Sequence, residues 1–68
     1  MEQIGIELES ALRDLPEDQR EIVILRTWGG MTFDEIAAAI AVSPNTAASR
    51  YRYGISKLRE HFKSAMKG

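Results

Sequence analysis

Three breaks constrain this chain more than any other feature. Leu15-Pro16, Gly29-Gly30 and Ala41-Val42-Ser43-Pro44 divide its 68 residues into four stretches. Each stretch carries apolar residues at helical spacing, and strand signals are almost absent. The residue before a proline is pushed out of the α region, so Leu15-Pro16 breaks the first helix. Paired glycines accept the left-handed conformation that closes a helix. The pattern predicts an all-α fold: one domain over residues 1–68, with helices at about 4–14, 16–28, 33–41 and 44–64. The one β-branched cluster, Ile22-Val23-Ile24, lies among Gln19, Arg20, Glu21, Leu25 and Arg26, which read as helix.

In the first stretch Ile4, Leu8, Ala11, Leu12 and Leu15 share one helical face, and Gly5 weakens its start. Pro16 is expected in the first turn of the second helix, where its missing N–H is harmless. Glu17 and Asp18 follow, where the helix dipole favours negative charge. Ile22, Val23, Ile24, Leu25 and Trp28 cover more than one stripe, so this helix is central to the core or also faces a partner. Thr32-Phe33-Asp34-Glu35 matches a capping box at the start of the third helix. Phe33, Ile36, Ala37 and Ile40 mark that helix's buried face. Ser43 is the expected N-cap of the fourth helix and Pro44 its first-turn residue. Ala47, Tyr51, Ile55, Leu58, Phe62 and Ala65 then hold one face for about five turns. Gly54 inside that helix costs up to about 1 kcal/mol against alanine; either a close approach or a tolerated flaw accounts for it.

Composition removes several functions. Without cysteine there is no disulfide, thiolate metal site or cysteine nucleophile. His61 is the only histidine, too few for a histidine zinc site. Glu17-Asp18 and Asp34-Glu35 are adjacent acids that do not face each other on a helix; dipole compensation accounts for both pairs. Gly29-Gly30 lacks the G-K-[ST] of a phosphate loop. A chain this short does not build a deep water-excluding cleft. No catalysis, metal or cofactor is expected. No apolar run approaches the ~20 residues of a membrane span, and Met1 to Ser10 has acids where a signal peptide has a basic start. The expectation is a cytoplasmic monomer.

The net charge of −1 hides an asymmetry. Residues 1–42 carry three arginines against nine acids, a net of −6; residues 43–68 carry six basic residues against Glu60, a net of +5. The basic part coincides with the fourth helix. The third and fourth helices, joined by Ala41-Val42-Ser43, form a helix-turn-helix, with Val42 expected to plug the gap between them. Taking Tyr51 as the centre of the apolar face, at about 100° per residue, Asn45, Thr46, Ser49, Tyr53 and Ser56 fall on the opposite side. Arg50 and Arg52 fall on its two flanks. Small polar residues between arginines suit a helix lying in the major groove, where short side chains reach base edges and arginines reach phosphates. The helix N-terminus adds a partial positive charge. A solvated basic face fits the same residues, with Thr32, Ser43 and Pro44 acting only as caps, Tyr51 and Tyr53 as packing residues, and Glu60 and His61 on the surface.

The run Leu15-Pro16-Glu17-x-Gln19-Arg20-Glu21-Ile22, then Thr32-Phe33-x-Glu35-Ile36-Ala37, then Val42-Ser43-x-x-Thr46, Ser49-Arg50 and Leu58-Arg59 resembles region 4 of bacterial sigma-70 factors, nearest to the extracytoplasmic-function type. The resemblance covers about residues 8–60, with the motifs in order. It implies a four-helix helix-turn-helix domain, winged-helix-like without a wing, with a long C-terminal recognition helix. It implies binding of double-stranded promoter DNA at the upstream (−35) element, docking on the β flap of RNA polymerase, and no catalytic activity. Carried over by position, the DNA-binding set is Thr32, Ser43, Asn45, Thr46, Ser49, Arg50, Arg52, Tyr53 and Lys57. Thr32 and Ser43 match helix-start positions that approach phosphates. The apolar excess around Trp28 is the expected flap or anti-sigma contact, a placement made from composition. The alternative is an interaction module for polymerase or an anti-sigma factor, with DNA contact secondary. Three positions depart from the family. Ala41 replaces the usual glycine, so a left-handed turn there is strained or absent. Ala48 replaces a usual lysine, and Tyr53 an often basic residue. Each lost phosphate contact lowers the salt slope by about one unit, so the isolated domain is expected to bind DNA weakly. No residues match region 2, which opens the promoter in complete sigma factors.

Overall fold

A computed structural model describes the backbone of residues 2–67 and the side-chain environments of residues 8–63. The helices are α1 (Glu2–Arg13), α2 (Glu17–Thr27), α3 (Phe33–Ile40) and α4 (Pro44–Lys67). The described residues contain no strand. Ile4 and Ala65, placed on apolar faces by their spacing, lie outside the residues whose side chains are described.

Local chemistry sets most boundaries. Pro16 takes φ −55° and ψ 148° and stands just before α2, one residue outside the helix expected to include it. Its extended ψ starts the helix at Glu17, and its carbonyl accepts from Gln19 N–H at 3.0 Å and Arg20 N–H at 2.9 Å. After α2, Trp28 is still right-handed; only Gly30 takes the left-handed conformation, at φ 64°. The capping box forms in full: Thr32 Oγ1 accepts from Glu35 N–H at 3.1 Å, and Glu35 Oε1 accepts from Thr32 N–H at 2.8 Å. Arg26 braces the connection leading into it. One of its Nη groups donates to the Met31 carbonyl at 3.0 Å, and its guanidinium lies 5.0 Å from the centre of the Phe33 ring.

Ala41 is left-handed, at φ 60° and ψ 49°. Of the two outcomes expected from its side chain, strain is the one found. Such a conformation costs a non-glycine residue on the order of 1–2 kcal/mol. The turn persists because Val42 behind it packs into the core and gives its N–H to the Ala37 carbonyl at 3.0 Å. Ala41→Gly relieves the strain but adds about 0.4–1 kcal/mol of unfolded-chain freedom. A net gain of about 0.5 kcal/mol is expected, raising the melting temperature by about 2–4 °C at this domain size. Circular dichroism melting checks it; an unchanged or lower midpoint contradicts the strain.

Two apolar clusters hold the helices. Ala11, Leu15, Val23 and Leu58 join α1 and α2 to the C-terminal half of α4. Ile22, Ile36, Ala37 and Ala47 join α2 and α3 to its N-terminal half. Tyr51 packs against both clusters and meets Phe33 edge-on, with ring centres 5.4 Å apart. The 24-residue α4 is thereby fixed along its length, at about 1.5 Å of rise per residue.

Gly54 is buried, and its role is close approach. A Cβ built there would stand 2.8 Å from Val23 Cγ2. This settles the choice between packing and a tolerated flaw in favour of packing.

Candidate nucleic-acid interface

The packing of α4 decides what its other side presents. Ala47 is fully buried and Tyr51 half-buried. The helical repeat then turns Asn45, Tyr53, Ser56 and Lys57 outward, and all four are exposed. Asn45, Ser49, Tyr53 and Lys57 follow one another at four-residue spacing, a continuous row on a helix surface. Tyr53 is 66% exposed, so the two tyrosines divide: Tyr51 packs and Tyr53 does not.

Ser43 caps α4, its Oγ accepting from Thr46 N–H at 3.1 Å while its hydroxyl donates to Thr46 Oγ1 at 2.9 Å. Thr46 is held facing the helix start. Thr32, on the start of α3, holds Glu35 N–H with its oxygen. Each of these hydroxyls therefore has a structural task at a helix N-terminus. Arg52 is exposed and leans on its own helix, Nη2 lying 3.4 Å from Ser49 Oγ. Asn45, Thr46, Ser49, Arg50, Arg52, Tyr53 and Lys57 lie on α4 with Ser43 as its cap, while Thr32 caps α3, the other helix of the pair.

Arg50 differs from the free flanking arginine that spacing suggests. Its side chain is only 34% exposed, and its Nε lies 3.6 Å from Asp18 Oδ2 at the start of α2. Asp18 is thus a residue of this face that the sequence reading left as dipole compensation. No signal along the chain pairs positions 18 and 50; only the packing of α2 on α4 does. His61, expected on the surface, is half-buried, and its Nδ1 lies 3.8 Å from Asp14 Oδ2. Among the described residues, the acidic first part and the basic last part of the chain therefore meet at Asp18 and Arg50.

The described residues contain no cluster of acids and histidine able to hold a metal ion. No described helix is long and apolar enough to cross a membrane.

The family model for Sigma-70, region 4 matches residues 5–58. Among curated relatives, the RNA polymerase sigma-E factor of Streptomyces avermitilis is 37% identical over 57 residues, covering 84% of this chain and 32% of that protein. The RNA polymerase sigma factor CarQ of Myxococcus xanthus is 43% identical over 53 residues, covering 78% of this chain and 30% of that protein. The ECF RNA polymerase sigma factor SigE of Mycolicibacterium smegmatis is 34% identical over 58 residues, 85% of this chain and 23% of that protein. The chain thus spans a third or less of the length of these relatives. No solved structure matches it significantly. A capping box before the helix-turn-helix, a Ser-capped basic α4 and a family match across most of the chain agree: this chain belongs to the region 4 family of sigma-70 factors, in its ECF type.

Proposed function

We propose that this domain binds the upstream (−35) element of promoter DNA with the N-terminal half of α4, serving an RNA polymerase sigma factor in transcription initiation. The observation that carries the reading is the outward row Asn45, Ser49, Tyr53 and Lys57 between Arg50 and Arg52, opposite a buried Ala47 and a half-buried Tyr51. Short polar side chains read base edges, and the three basic residues neutralise phosphates on the groove walls. The helix starts at Thr32 and Ser43 offer N–H groups and positive dipole ends to the backbone. The domain does binding work only, as a monomer, and its position on DNA is what it contributes to the polymerase.

A second surface favours a second contact. Ile24 is 40% and Trp28 56% exposed, both on α2 and its C-terminal edge. Large apolar side chains left outside the core suit protein docking, and the RNA polymerase β flap or an anti-sigma factor is the partner this reading assigns. Binding as a pure interaction module is the alternative to promoter readout.

Titrating the chain with a duplex enriched from a random pool, over a salt series, separates the two. Arg50→Ala is expected to make the slope of log K against log salt shallower by about one unit while leaving polymerase binding intact. Trp28→Ala is expected to do the reverse. A slope near zero for the unaltered chain, or equal effects of Arg50→Ala and Glu60→Ala, overturns the assignment of this face.

A further inference from the structure

We propose that Asp18 is a specificity-determining residue: it competes with DNA phosphates for Arg50 and so weakens binding to random sequence. The inference rests on the reading of α4 as the DNA-binding helix. Arg50 Nε faces Asp18 Oδ2 at 3.6 Å. Asp18 is itself held, its Oδ1 accepting from Gln19 N–H at 2.9 Å. The carboxylate is therefore a fixed feature of the α2 start, 51% exposed, with exposed Glu17 beside it and exposed Glu21 one turn on. Arg52, on the other flank of the same helix, is exposed and meets no acid among the described residues.

A phosphate approaching Arg50 has two options, and both are unfavourable at first. It can draw the guanidinium away from Asp18, leaving that carboxylate without its counter-charge. It can instead share the guanidinium and sit close to a like charge. Non-specific binding consists almost wholly of phosphate contacts, so it has only the new phosphate–guanidinium contact to set against the one lost to Asp18. A cognate site adds base contacts that lock α4 in register and offset the exchange. One acid thus lowers the background more than the target. This reverses a simple count of basic residues: Arg50 contributes to affinity only where the helix is otherwise well seated.

The test uses the 68-residue chain, a short random-sequence duplex and the enriched duplex, titrated over salt. Asp18→Asn preserves shape and the acceptor toward Gln19, and thermal melting confirms that it folds. It is expected to tighten random-duplex binding about two- to fivefold and steepen the salt slope by about one unit, with a smaller gain on the enriched duplex. In an Arg50→Ala background the gain should vanish. An unchanged or weaker affinity for Asp18→Asn overturns the proposal. So does an equal gain in the Arg50→Ala background, which would mean mere removal of a nearby charge. If neither the unaltered chain nor Asp18→Asn binds any duplex, the DNA reading itself fails. If the unaltered chain binds and Arg50→Ala weakens it, while Asp18→Asn gains nothing, only the role of Asp18 fails.

Discussion

Gly54→Ala is expected to destabilise the domain by about 1–2 kcal/mol, although alanine is the better helix former. Two effects oppose each other. Helix propensity alone favours alanine by up to about 1 kcal/mol. Packing opposes it more strongly, because the added Cβ would stand 2.8 Å from Val23 Cγ2. Carbon atoms are comfortable at about 3.5–4.0 Å, so something must move. Val23 is 1% exposed, and a β-branched side chain has little rotamer freedom with which to retreat. Forcing a methyl into a filled core costs about 1–3 kcal/mol, which exceeds the propensity gain. Thermal unfolding measures the sum, at about 4–8 °C per kcal/mol for this size. A double-mutant cycle with Val23→Ala identifies the cause. Removing the Val23 methyls should remove most of the Gly54→Ala penalty; strictly additive losses would show that the clash is not responsible.

Ile22→Ala is expected to leave the chain largely unfolded at 37 °C. Ile22 is fully buried, packed with Ile36, Ala37 and Ala47 between α2, α3 and α4. Truncating such a residue to alanine costs about 2–5 kcal/mol. A single small core rarely supplies more than about 3–5 kcal/mol in total, so the loss is comparable with the whole stability. Ile22→Val removes one methyl, costs about 0.5–1.5 kcal/mol and should keep a cooperative melt at lower temperature. Far-ultraviolet circular dichroism distinguishes the two. A cooperative, near-native melt for Ile22→Ala would mean that this cluster does not hold the helix-turn-helix together. Duplex binding should fall with the fraction folded, because α4 has its outward face only while α2 and α3 hold its inward one.

Much of this architecture is legible without tertiary information because its signals are local. Proline geometry ends α1 and starts α2 within a residue or two. A capping box needs only four consecutive residues, and Thr32 to Glu35 form it as their spacing demands. The inward face of α4 is legible from periodicity, since Ala47, Tyr51, Ile55, Leu58 and Phe62 all pack against the clusters. The outward row follows as its complement. Pro16 is the instructive boundary error: proline is allowed inside a first turn, and it is equally comfortable just before one, so only the backbone angle discriminates.

Three matters were decided by the assembled fold. Ala41 is left-handed because the helices on either side must cross with Val42 between them; a local rule warns of the strain but cannot say which side yields. Gly54 is required because Val23 comes against it from another helix, and neither residue alone signals the other. Arg50 is tied to Asp18 across α2 and α4, so a flank read as free is already engaged. The sequence by itself determined that there are four helices, where the breaks between them fall to within a few residues, and which side of α3 and α4 is apolar. Those properties depend on neighbours within about four positions along the chain. Tertiary structure decided which atoms from distant positions meet, and hence which of two flanking arginines stands against an acid. Pair contacts depend on how helices pack, and no periodicity within one helix encodes them.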